Sequence, residues 1–186
     1  MTVTPIGGLV QNGKNMVDKN QYLKRYSVSQ SLDMPASRQE LWQIISREGN
    51  LEDCHPFCKA NTPVTWNDQE RTDQLVYLNG LTYLREFLVW QENNGYELII
   101  GNKAHNQSFV IWKIDEITEY KSRLTITVYP YLFSNWWRLP YYLIFKLYVK
   151  PRLTNYLKSV VKGFSYYIET NQSVPKNHFG RHSWFS

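Results

Sequence analysis

The sequence predicts an α+β domain in which a meander of antiparallel strands is followed by one long amphipathic helix. Three observations carry the prediction. Ser37-Arg38-Gln39-Glu40 has the form of a helix-capping box; six segments from Lys59 to Phe133 alternate apolar and polar residues; and the apolar positions from Leu153 to Ile168 recur at helical spacing.

Taken in order, residues 1–20 (MTVTPIGGLVQNGKNMVDKN) are polar, rich in Gly and Asn and without the apolar run of a secretory signal, so they read as a flexible arm. Tyr22 to Leu32 alternates aromatic and β-branched residues and predicts a first strand, interrupted by Pro35. The capping box then opens a helix from about Ser37 to Arg47, with Leu41, Trp42, Ile44 and Ile45 on its apolar face and Gly49 as its stop. Asn50 is placed to cap a short second helix, which Pro56 must end.

Beyond this corner the period changes to two. Strands are expected over Lys59–Trp66, Thr72–Leu78, Thr82–Gln91, Tyr96–Asn102, Ser108–Thr118 and Arg123–Phe133, separated by breaks such as Asn79-Gly80 and Asn93-Asn94-Gly95. Pro151 then opens an amphipathic helix of about five turns. Gly163 within it costs about 1 kcal/mol of helix propensity, which points to close backbone packing there. One domain spans 21–170, with an aromatic, basic insertion at 134–150 and a tail at 171–186.

At 186 residues, 42% hydrophobic and 16% aromatic, the chain can bury a large core built from rings, which excludes global disorder. The net charge of +5 is unevenly spread. From Ser134 onward eight Lys and Arg stand against Glu169 alone, so all the excess positive charge is in the last part of the chain, where it would attract an anionic surface. Two cysteines in a chain without a secretory signal read as reduced thiols in the cytosol.

The passage SLDMPASRQELWQIIS, the corner GNLEDCHP, the strand pair GLTYLREFLVW and GYELII, and the closing helix together span about Tyr22 to Thr170. In this order they resemble the START-related, birch-pollen-allergen-like superfamily, in particular its polyketide cyclase/dehydrase and lipid-transport branch. The resemblance implies a helix-grip fold: a curved antiparallel sheet of about seven strands wrapped around the long helix, with two short helices after the first strand. It also implies a cavity for a lipid, polyketide or other hydrophobic small molecule. Cys54 stands where an aromatic residue is common in that family, and the segment after the last strand is longer than its minimal pattern.

The corner NLEDCHPFC holds both cysteines beside a histidine. A zinc site would need further ligands in recognisable pairs, and a catalytic cysteine rarely neighbours its base in sequence, so neither a metal nor any cofactor is expected. His55 is left with two roles, fixing the backbone or touching a ligand. Arg85 and Glu86 lie on opposite faces of one strand, so one of them faces the interior, and the sequence leaves open which. Catalysis, if present, would draw on His55, Arg85 or Glu86, although no constellation defines an activity.

Candidate ligand-lining residues are Trp90, Tyr96, Leu98, Val110 and Trp112 on the strands, Tyr129 and Tyr131 at a strand end, and Val160 and Phe164 on the helix. Ser134 to Pro151 is too short and interrupted to span a bilayer, but Trp136, Trp137, Arg138, Lys146 and Lys150 suit a helix lying on an anionic membrane surface. Its alternative is a lid helix or an extension of the C-terminal helix, with its aromatic residues buried against the sheet or a second subunit. No nucleic-acid motif accompanies these residues, so a nucleic-acid partner is not expected, and the oligomeric state stays open. The function expected is binding or transport of a hydrophobic molecule or lipid, against a cyclase, aromatase or dehydratase and against an interaction module whose cavity its own aromatics fill.

Overall fold

The computed structural model describes residues 9–12, 15–102, 107–131 and 142–186, with side chains from Asp18 onward. Within the segment read as an arm, strands β1 (Leu9–Asn12) and β2 (Asn15–Asp18) form an antiparallel hairpin. A helical turn α1 (Asn20–Leu23) follows, and the first strand of the main sheet, β3, begins only at Val28 and ends at Met34. Tyr22 therefore belongs to a turn and not to the expected strand.

The capping box is formed as expected. Ser37 caps α2 (Arg38–Ser46), its hydroxyl accepting from the Glu40 backbone N–H while the Glu40 carboxylate accepts from the Ser37 backbone N–H at 2.8 Å. Gly49 takes a left-handed φ of 66°, and α3 (Asn50–Cys54) starts directly after it. Asn50 does not cap α3. Its side-chain amide instead donates to the carbonyl of Ile45 at 2.8 Å, satisfying one of the free carbonyls at the end of α2.

The meander follows as β4 (Cys58–Trp66), β5 (Arg71–Tyr77), β6 (Thr82–Gln91), β7 (Gly95–Gly101), β8 (Gln107–Thr118) and β9 (Lys121–Tyr129). Each pairs antiparallel with the next, and β3 closes on β9, giving the order β3-β9-β8-β7-β6-β5-β4. The seven-stranded sheet wraps around α4 (Lys150–Thr170). The helix does not begin at Pro151. Residues 142–144 are already helical, and a π turn (Phe145–Val149) links them to α4. Pro151 has no N–H to offer the Leu147 carbonyl, which accounts for a departure from α geometry in the turn before it.

One face of the sheet packs Leu98, Trp112, Leu124 and Ile126 against Leu153, Leu157, Val161 and Phe164 of α4. Gly163 lets the helix backbone reach the corner, since a Cβ there would lie 2.1 Å from the Cys54 carbonyl oxygen. The opposite face carries a second apolar cluster, Tyr22, Leu88, Ile99 and Phe109, with Tyr129 against it. A β-bulge between Phe87 and Val89 leaves Leu88 and Val89 both on that outer face and returns Trp90 to the helix side. Strict alternation would keep Leu88 and Trp90 on one face.

Candidate functional site

Between the sheet and α4 lies a cavity of about 540 Å³. That volume is within the range of roughly 300–1,000 Å³ usual for small-molecule sites. Leu75, Leu98, Val110, Trp112, Ile126, Val128, Leu153, Leu157 and Val160 supply its apolar wall. These are the inward residues of β5, β7, β8 and β9 and the facing residues of α4, brought together by the period-two and period-3.6 patterns.

Of the residues expected to line a pocket, Leu98, Val110, Trp112, Tyr131 and Val160 border this cavity. Trp90, Tyr96 and Phe164 fill the neighbouring space instead. The Trp90 and Tyr96 rings stack at 5.4 Å between centroids, Tyr96 stacks on Trp112 at 5.3 Å, and Phe164 meets Trp112 edge-on at 5.3 Å. The chain's own aromatics thus fill one part of the interior, with Trp112 as the boundary. Tyr129 points to the other face, where it packs against Phe109. Beyond β9, Pro130 breaks the alternation and Tyr131 turns toward the cavity.

The polar groups gather around the corner. His55 is buried and lines the cavity. Its Nδ1 accepts from the Phe57 backbone N–H at 3.1 Å, so the ring proton sits on Nε2, which donates to the Tyr156 hydroxyl at 2.8 Å. Burial, reinforced by the charges of Arg85 and Lys176, pushes the imidazole pKa down to about 3, so the ring is neutral at pH 7. His55 therefore fixes the backbone through Nδ1, while Nε2 reaches Tyr156 at the cavity wall.

Tyr156 on α4 is also 3.2 Å from the Tyr77 hydroxyl on β5. Burial raises the pKa of both phenols. Tyr156 accepts from His55, so whichever phenol donates to the other, one O–H of the pair has no acceptor among the described residues. Both rings border the cavity, which makes that O–H a donor available to an occupant.

Arg85 faces inward and Glu86 outward. Arg85 stands opposite Asp73 in the register of β5 and β6, with Nε donating to Asp73 Oδ1 at 2.7 Å and Nη2 to Oδ2. Both side chains are almost wholly buried. Burial opposes the guanidinium charge, and the Asp73 carboxylate more than offsets it, raising the Arg85 pKa above its ordinary value. Arg85 also borders the cavity and interacts with the buried Tyr96 hydroxyl. Asp73 was not singled out in the sequence; its place opposite Arg85 depends on strand register.

The two cysteines form no catalytic pair with His55, whose nitrogens are both engaged elsewhere. Both are free, buried thiols; burial pushes Cys58 up to about 12 and raises Cys54 as well. Among the described residues no group of three or more His, Cys, Asp or Glu side chains is placed to hold a metal ion. The corner instead anchors residues 171–186. Val174 N–H donates to the Asp53 carbonyl and Asn177 N–H to the Pro56 carbonyl. Phe185 is thereby laid on Tyr77, 4.4 Å between ring centroids, where it and Trp184 close one side of the cavity.

Lys146 and Lys150 are exposed, while Trp136, Trp137 and Arg138 lie outside the described residues. Among the described residues no helix is long and apolar enough to cross a membrane.

No family model and no curated protein matches the chain. Solved structures do. A protein from Thermus thermophilus superposes with a TM-score of 0.63 at 16% identity, covering 80% of this chain and 100% of its own. A START superfamily protein from Mycobacterium smegmatis gives 0.58 at 16% identity over 78% of this chain and 99% of its own. DynU16, encoded in the dynemicin biosynthetic locus, gives 0.59 at 13% identity over 79% of this chain and 48% of its own. The fold is the START-type helix grip.

Proposed function

We propose that this protein binds a hydrophobic small molecule or lipid in the cavity between its sheet and α4. The observation that carries this reading is the cavity of about 540 Å³ itself, an apolar chamber that the chain's own aromatics border without filling. Apolar burial supplies the affinity, at roughly 25 cal/mol per Å² before the costs of binding. The spare O–H of the Tyr77–Tyr156 pair favours an occupant carrying a hydrogen-bond acceptor, such as a carbonyl or hydroxyl oxygen. Because Asp73 balances the Arg85 charge, a neutral acceptor suits the site better than a carboxylate.

Solvent extraction of the purified protein followed by mass spectrometry, together with displacement of a fluorescent apolar probe such as anilinonaphthalene sulfonate, tests the proposal. Val160→Trp, filling the cavity from α4, is expected to abolish probe binding; Leu98→Phe from the sheet side should weaken it, with circular dichroism unchanged. Unaltered probe binding in both folded variants would overturn the cavity as the site.

A further inference from the structure

Of the ten large apolar side chains exposed among the described residues, five fall within 142–148: Tyr142, Leu143, Ile144, Leu147 and Tyr148. Leu147 is 71% exposed and Leu143 54%. The turn is held to the body through its other side, where Phe145 stacks on Tyr26 at 5.0 Å and Val149 is fully buried. What is left outward is an apolar ridge rimmed by Lys146, Lys150 and Arg152. The Lys146 ammonium lies 5.6 Å from the Tyr142 ring centre, and the Arg152 guanidinium 3.7 Å from that of Tyr148. No acidic residue occurs between Glu119 and Glu169.

An apolar ridge with a cationic rim and no acidic residue in its own stretch of chain matches a bilayer surface that presents acyl chains beneath anionic headgroups. A second copy of the chain fits it less well. A two-fold contact through this ridge would bring Lys146, Lys150 and Arg152 toward their own equivalents. Nucleic acid fits less well too, because the most exposed members are leucines, which offer bases no stacking surface.

We infer that residues 142–152 dock the protein on an anionic lipid bilayer. Tyr148 is both exposed and part of the cavity wall, and the next residue, Val149, borders the cavity from within. Docking therefore sets the rim of the cavity against the lipid, a consequence that rests on the cavity being a binding site, whereas the docking itself does not.

Flotation with vesicles of phosphatidylcholine, alone or mixed with phosphatidylserine, tests the inference. The intact protein is expected to float with the mixed vesicles only, and to be released as salt rises from ~0.1 to ~0.5 M. Lys146→Gln with Lys150→Gln should weaken the association about 30-fold, and Leu143→Glu with Leu147→Glu should remove it. Anilinonaphthalene sulfonate bound without vesicles should be unchanged in both pairs, which keeps a failure of docking distinct from a failure of the cavity. Absence of the intact protein from mixed vesicles at low salt, or flotation that survives the double glutamate change, overturns the inference. So does a concentration-dependent dimer that the same change dissolves.

Discussion

His55 and Tyr156, 101 residues apart, meet through a 2.8 Å hydrogen bond between the imidazole Nε2 and the phenol oxygen. This bond fastens the corner after α3 to the middle of α4 at the cavity wall. With Nδ1 held by the Phe57 N–H, the imidazole is fixed in one tautomer, and any charge on it would stand in a site that burial makes hostile to charge.

Stability should consequently depend on pH with a definite sign. The native pKa of His55 is depressed to about 3 from an ordinary 6.5, so between these values the unfolded chain holds a proton that the native ring lacks. Stability is full above pH 6.5 and falls as pH falls toward 3. His182, also buried with a lowered pKa, acts in the same direction. Urea unfolding at pH ~5 should show about 2 kcal/mol less stability than at pH ~7 from His55 alone. The slope between the two should flatten in a His55→Gln variant; an unchanged slope would mean that His55 titrates normally in the fold.

Breaking the Asp73–Arg85 pair should cost far more than replacing it. Asp73→Ala leaves a buried guanidinium without its carboxylate and should lower the unfolding free energy by about 3–5 kcal/mol. Replacing both residues, Asp73→Leu with Arg85→Met, should recover most of that loss. A double-mutant cycle in chemical denaturation measures the coupling. Coupling near zero would contradict the bidentate geometry.

Gly163→Ala asks the α4 backbone to withdraw from Cys54, since the added Cβ would overlap its carbonyl oxygen. The expected loss is about 1–3 kcal/mol even though alanine is the better helix former. Lys158→Ala on the exposed face of the same helix should stay within about 0.5 kcal/mol. Thermal melts of the two variants are the comparison, and a stabilised Gly163→Ala would show that α4 and α3 are not in backbone contact.

The elements legible in the sequence were those with a strong local signature. Alternation gave β4 to β8 to within about two residues, because each has one face on the core and repeats every second position. The capping box at Ser37 and the close approach at Gly163 were readable because particular residue types are needed there. What escaped depended on breaks in period. The bulge at Phe87 to Val89 leaves no composition mark, yet it separates Leu88 from Trp90 and adds Val89 to the outer cluster that Tyr22 covers. The π turn before α4 was hidden in the same way, with Pro151 read as the start of a helix instead of a disturbance within one.

By itself, the sequence determined the α+β class, the order of strands and helices, and the gathering of aromatic and basic residues after the last strand. It did so because periodicity and capping are local properties of the chain. Only the tertiary structure decided which inward residues pack and which border open space. Trp90 and Leu98 both point to the helix side, and only the way the rings of Trp90, Tyr96, Trp112 and Phe164 interlock makes the first core and the second cavity wall. It likewise decided that Arg85 and not Glu86 turns inward, because the partner that makes a buried guanidinium tolerable, Asp73, is supplied by the register of a neighbouring strand.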